Sequence, residues 1–205
     1  RVRAVKVRRS VGRRETSAAA PEDTSRAIAE HSITLLKTEP SLLPVKRSQR
    51  VAVVTTSSEF ARAARQLPEV YDVVRLVEKE GFELWTKDRK LSGDSMRRAE
   101  QSASAADVTI VAVINPWEMG VFEQVRQSGK KVVLVSLGRP ILLHQGAQAN
   151  ALVATYGYSQ ASCVAATRVL AGELEARGRL PVSLPEYPFG TGLTLGGASL
   201  PGDGG

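Results

Sequence analysis

An α/β fold is what the sequence predicts: a three-layer α/β/α sandwich with a mainly parallel sheet of about five strands. Three observations carry this. Four short runs rich in β-branched residues (VAVVT from Val51, DVTIVAVI from Asp107, KVVLVSL from Lys131, ALVATYG from Ala151) are apolar at nearly every position rather than at alternate ones. That is the pattern of strands covered on both faces. Stretches with helical chemistry lie between the runs, and strands alternating with helices imply a parallel sheet with crossover helices. The composition agrees: the 205 residues are 42% hydrophobic but only 5% aromatic, so one domain can build a core mostly from Val, Leu, Ile and Ala.

In chain order, Pro21-Glu22-Asp23-Thr24 supplies helix-start chemistry, with acids near the positive end of the helix dipole. Ala27, Ile28, His31, Ile33, Leu35 and Leu36 then form an apolar helical face that leads into the first strand, Val51–Thr55. After Thr56-Ser57-Ser58-Glu59, an Ala/Arg/Leu helix runs to about Leu67. The segment from Val70 admits a strand over 71–77, or a helix ending at Gly81 followed by a strand Phe82–Thr86; the second is favoured. Ser92–Ala105 reads as a helix capped by Ser92 or Asp94. Asp107–Ile114 is the clearest strand, closed by Asn115-Pro116-Trp117. Val121–Gln127 is a short helix stopped by Gly129. Lys131–Leu137 and Ala151–Gly157 are strands, and Ser159–Ala171 is a helix with Ser159 as its cap. Beyond it, Pro181 and Pro185 bracket Val182-Ser183-Leu184, which suits an edge strand or an extended segment lying over the body.

Charge excludes more than it suggests. Seven of the 28 basic residues lie in residues 1–14 with no acid among them, which leaves 21 bases against 21 acids in the rest of the chain. The body is neutral. The basic N-terminal segment has no aromatic residue for base stacking, so a solvated helix face explains it better than nucleic-acid binding. No apolar run reaches the roughly 18 residues a membrane span needs, and no partner membrane is expected. The single cysteine, Cys163, excludes an internal disulfide and reads as a small buried hydrophobe among Ala161, Ala165 and Ala166. With one Cys and two separated His, no metal set forms. A Walker A loop, a dinucleotide-binding glycine motif and a nucleophile elbow are all missing; Ser136 reads as strand. No cofactor is expected. Asp107 opens a strand, whereas an acid acting from such a sheet belongs at a strand's carboxyl end.

Three segments carry a sharper resemblance. HSITLLKTEPSLLPV (His31 to Val45) is similar to A-x-x-S-I-x-L-L-K-N-x-x-x-L-L-P-L, with Lys37, Leu43 and Pro44 matching and Thr38 where Asn is common. Gly178, Leu180, Pro181, Val182 and Pro185 follow G-x-L-P-V-x-x-P, and YPFGTGL (Tyr187 to Leu193) resembles Y-P-x-G-x-G-L. These, with the A-A-D-V lead into the Asp107 strand, resemble the C-terminal α/β domain of glycoside hydrolase family three, most closely its β-N-acetylglucosaminidase branch, over about residues 25–195. The resemblance implies that residues 1–20 are the remnant of a preceding barrel-domain helix (RVRAVKVRRSVG) plus a linker, that residues 21–195 are the C-terminal domain, and that residues 196–205 are a Gly-rich disordered tail. It implies an intact retaining enzyme that removes terminal β-linked N-acetylglucosamine or a related sugar, with an N-terminal barrel domain and the carbohydrate as partners.

The same resemblance moves the chemistry off this chain. Retaining glycosidases flank the scissile bond with two groups roughly 5–5.5 Å apart. The family's nucleophilic Asp lies in the barrel, and the His of the N-acetylglucosaminidase branch lies on a barrel loop. His31 sits inside the helix that leads into the sheet, and His144 is a loop residue. Other branches supply an acid/base Glu from a long loop of this domain; Glu118 lies in that loop, which here is short and lacks the acidic, glycine-rich insertion. No catalytic residue is therefore assigned. In an open parallel sheet, ligands meet the loops at the carboxyl ends of the strands. Those loops offer Trp117, Tyr156 and Tyr158 as stacking surfaces, and Glu118 and Arg139 as polar contacts, as candidates for a substrate rim; ordinary turn and domain-packing roles are the alternative. At Gly138-Arg139-Pro140-Ile141 the chain lacks the Tyr of the family's N/G-P-Y. A stand-alone α/β binding module, or a different small enzyme working through the crest loops, are the competing readings.

Overall fold

The computed structural model describes residues 21–76 and 91–195. These form α1 (Pro21–Ser32), β1 (Thr34–Thr38), β2 (Val51–Thr55), α2 (Ser58–Ala64), β3 (Val70–Arg75), α3 (Gly93–Ala105), β4 (Val108–Val113), a 3-10 turn at Pro116–Glu118, α4 (Met119–Arg126), β5 (Lys131–Leu137), α5 (Leu142–Gln145), β6 (Ala151–Thr155) and α6 (Gln160–Leu170). The expected barrel-helix remnant, the strand at 82–86 and the Gly-rich tail lie outside the described residues.

The sheet has six strands in the order β1-β6-β5-β4-β2-β3. Every neighbouring pair is parallel except β1 with β6, which is antiparallel. The α/β sandwich with a mainly parallel sheet is therefore what the chain forms, with one strand more than the expected five. The period of two sorts side chains onto two faces. Val51, Val53, Ile110, Val133, Val135 and Val153 pack under α1, α2 and α6 with Phe60, Cys163 and Leu170. Val54, Val111, Val113, Leu134 and Leu152 pack under α3, α4 and α5 with Phe122, Leu142 and Leu143. Three serines start helices, Ser92 and Ser159 as the sequence suggests: Ser57, Ser92 and Ser159 accept the amides of Phe60, Ser95 and Ser162 at 3.1, 3.2 and 3.3 Å.

Two elements differ from expectation, and both are edge strands. Residues 34–38 extend as β1 instead of continuing the apolar helix face. Leu35 faces the first core cluster and its neighbour Leu36 the second, which only an extended chain allows. Residues 70–75 form β3 rather than a helix. Val70, Val73 and Val74 fall at i, i+3 and i+4, so the sequence imitates a helical stripe, but parallel pairing with β2 captures the segment as a strand. Two smaller differences follow. His144 lies in the short helix α5 rather than in a loop. The helix after Ser57 ends at Ala64, short of Leu67.

The segment after α6 lies over the body as an extended arm. Leu180 and Leu184 are buried in the second cluster. The Gly178 amide donates to Ile33 O at 2.9 Å and the Leu193 amide to Leu35 O at 2.7 Å, so the arm covers the open edge of β1. The arm closes on itself where Leu180 N donates to Thr191 O at 2.9 Å and Gly190 N to Leu180 O at 2.8 Å.

Candidate functional site

The parallel strands β2, β4, β5 and β6 end on the same side of the sheet, and their following loops form a row, or crest. Trp117, Glu118, Arg139, Tyr156 and Tyr158 all lie on this row. The structure brings the five onto one edge but turns them in two directions.

Arg139 and Tyr158 are exposed to solvent. Trp117 sits half-buried in the 3-10 turn after β4. Arg139 is exposed after β5, where Gly138 turns the chain at a φ of +94°, a conformation that favours glycine. The turn is tied down by Ser136, whose hydroxyl donates to Arg139 O at 2.5 Å. Tyr158 is 62% exposed. Its ring passes over Gly138, where a Cβ would lie 3.6 Å from Cδ1, so the β5 and β6 loops touch. Ile141, 53% exposed beside Pro140, extends this surface and has no periodic sequence signal to announce it.

Glu118 and Tyr156 face inward. Glu118 is 1% exposed. Its Oε2 accepts the Ile114 amide at 2.7 Å and its Oε1 accepts the Asn115 side-chain amide at 3.2 Å. Asn115 is the N-cap of the turn and Glu118 stands three residues on, so the carboxylate reaches back as the acidic member of a capping box does. That Asn-x-x-Glu spacing was the sequence signal for its orientation. Burial pushes its carboxyl above the ordinary carboxylate value, and the hydrogen bonds from Ile114 and Asn115 offset this only in part. The Tyr156 hydroxyl lies 2.8 Å from Thr34 Oγ1 and donates to Arg179 O at 3.3 Å, which joins the end of β6 to the start of β1 and to the arm. Burial raises its phenol as well.

The Glu118 shift carries a signed prediction. A raised folded-state value means that the stabilising contribution is fully present below the ordinary carboxylate value of 4.5 and is lost as pH rises through the raised value. Glu118→Gln, which cannot ionise, is expected to gain stability relative to the parent chain as pH rises from mildly acidic to mildly alkaline. Denaturant midpoints of both proteins across that range check it. A difference that moves the opposite way would mean that the folded site favours the charged form.

The other chemical candidates lie elsewhere. His144 Nδ1 pairs with both oxygens of Glu186 on the arm, at 2.7 and 2.9 Å. His31 is exposed in the last turn of α1, a favourable place for a basic group against the helix dipole. Cys163 is buried, and burial is the main cause of a thiol pushed up to about 11, far from a thiolate at neutral pH. Among the described residues no group of three His, Cys, Asp or Glu side chains could hold a metal ion. No helix among them is long and apolar enough to cross a membrane. A groove of about 480 Å³ runs between α1 and α6, beside the Glu30–Arg168 ion pair at 2.6 Å. A smaller hollow of about 170 Å³ lies between Ile28, Tyr156 and Gly157 at the crest end of α1.

Comparison with known proteins follows the architecture. The family model of the glycosyl hydrolase family 3 C-terminal domain matches residues 33–192. No curated protein sequence matches the chain. Among solved structures, a fungal multi-domain β-N-acetylglucosaminidase of that family superposes with a TM-score of 0.61 at 18% identity, over 85% of this chain and 20% of the other. A family 3 β-N-acetylglucosaminidase from Paenibacillus sp. str. FPU-7 gives 0.60 at 16% identity, over 86% of this chain and 35% of the other. A β-glucosidase from Listeria innocua in complex with glucose gives 0.60 at 17% identity, over 82% of this chain and 33% of the other. The chain thus spans about a third or less of each of these proteins, and at such identity the likeness establishes the fold.

Proposed function

The chain belongs to the family of glycosyl hydrolase family 3 C-terminal domains, and from that premise we propose that it is the non-catalytic half of a β-N-acetylglucosaminidase-like enzyme. Its crest completes the rim of an active site carried on an N-terminal barrel domain. The observation that supports this reading is the division along the crest. Arg139 and Tyr158 are exposed and Trp117 is half-buried on the same crest, while Glu118 is buried and bonded to its own loop. An aromatic face suits the apolar side of a sugar ring, and a guanidinium suits its hydroxyls. The pair of reacting groups that a retaining glycosidase needs is supplied by the barrel. Glu118 and Tyr156 enter as residues that hold the rim in shape.

The choice of sugar rests on the sequence motifs, YPFGTGL and the LLK-to-LLP segment above all, because the similar structures include β-glucosidases as well as β-N-acetylglucosaminidases. The test is an assay of this chain, alone and mixed with the barrel domain, on aryl β-N-acetylglucosaminide and aryl β-glucoside. Alone it is expected to turn over neither; with the barrel, the first should be cleaved faster. Turnover by the chain alone that depends on Glu118 would overturn the rim reading, and a preference for the glucoside would overturn the branch.

A further inference from the structure

We infer that Glu118 is a positioning residue, whose buried carboxylate fixes the turn that presents Trp117 at the crest. The inference deepens the rim reading and rests on it for its functional meaning. The turn is closed twice by the same residue. The Glu118 backbone amide donates to Asn115 O at 3.1 Å, and its carboxylate accepts the amides of Ile114 at 2.7 Å and of the Asn115 side chain at 3.2 Å. Residues 115–117 lie between these contacts, so the backbone that carries Trp117 is held by the anchor.

The anchor is chemically specific. The amides of Ile114 and Asn115 donate to the carboxylate, the Thr56 hydroxyl lies close to it, and no cation among the described residues pairs with it. A buried carboxylate without a cation is a costly way to hold a loop, tolerated only where its acceptors are used. Removing the side chain takes the acceptor from the part-buried Ile114 amide at the end of β4. A glutamine keeps the shape and one oxygen for Ile114. Its amide nitrogen can donate to Asn115 once that side chain turns its oxygen inward, since an Asn amide can present either end.

The experiment uses the full chain carrying Trp85→Phe, so that Trp117 is the sole tryptophan fluorophore. Glu118→Ala is expected to red-shift the Trp117 emission and to raise its quenching by iodide roughly twofold, as when a local segment opens while far-UV circular dichroism stays unchanged. Glu118→Gln is expected to return both signals to the parent values. An unchanged emission in Glu118→Ala, or a Glu118→Gln as perturbed as the alanine variant, would overturn the inference. If the alanine variant does not fold, the glutamine variant decides alone: parent-like quenching supports the anchor and raised quenching overturns it. Neither signal needs the barrel. A Trp117 that moves as expected while the mixed domains show no turnover would sink the rim reading and leave the positioning role standing.

Discussion

Gly178→Ala is expected to detach the arm. A Cβ at this position would lie 2.1 Å from the Ser32 carbonyl oxygen, 2.6 Å from its carbon and 2.4 Å from Thr34 Oγ1. Two of those atoms are backbone, and the hydroxyl already bonds to Tyr156, so none can swing aside as a flexible side-chain end could. The arm must move instead. Moving it breaks the Gly178 amide bond to Ile33 O and draws Leu180 and Leu184 out of the second core cluster. The cost is expected at the upper end of the overpacking range, about 3 kcal/mol. For a chain of this length that corresponds to a fall in Tm of about 10 °C. Gly120→Ala is the control. Nothing lies within 4 Å of its added Cβ, and it sits in α4, where alanine is the better helix former. That variant should unfold at or above the parent temperature. Equal Tm values for the two variants would show that the arm does not depend on its close approach to β1.

The same glycine shows how the motifs relate to the fold. The G-x-L-P-V-x-x-P pattern was legible as a pattern, but its physical reason lies about 145 residues earlier in the chain, at Ser32 and Thr34. Gly192 repeats the lesson, with a Cβ that would meet Gly178 O at 2.4 Å. What the sequence displayed directly were β2, β4, β5 and β6, because strands buried on both faces must be apolar throughout. The edge strands were less legible: the β1 segment reads as a helical face, and the β3 segment admits a strand over 71–77 but favours a helix. Within the sheet each has one neighbouring strand, the other side of β1 being covered by the arm, and in each the apolar residues fall at spacings that also fit a helix. The crest loops could be located from the strand ends alone. Which way Tyr156 turns could not, because Thr34 and Arg179 reach it from distant parts of the chain, whereas the partners of Glu118 are local, at Ile114 and Asn115. The seam between Tyr156, Thr34 and Arg179 also means that loss of the arm should disturb the crest, so Gly178→Ala is predicted to weaken any activity that the mixed domains show.

Phe122→Ala should be the most destabilising truncation on the face under α3 and α4. Phe122 is fully buried, on the inner side of α4, among Val111, Val113, Val132 and Leu134 of the two central strands β4 and β5. The strands are held by their own ladder and by the opposite layer, so they cannot collapse to fill the space left by a ring. Truncation of a buried Phe then costs its transfer free energy plus a cavity, about 4 kcal/mol. Against a total of roughly 5–15 kcal/mol for a domain, that is a large fraction of the stability. The loss should show as a lower denaturant midpoint with an unchanged slope. A slope that also falls would mean instead that α4 has separated from the sheet as a local unit. The position makes that distinction informative for function. The helix begins at Met119, directly after Glu118, so α4 and the Trp117 turn share one start. If the slope holds and Trp117 fluorescence stays parent-like in the folded baseline, the carboxylate anchor fixes the crest independently of the core beneath it. If Trp117 loosens as well, the packing of Phe122 and the bond from Glu118 to Ile114 act as one unit, and the shape of the rim is set as much by the second core cluster as by the loop itself.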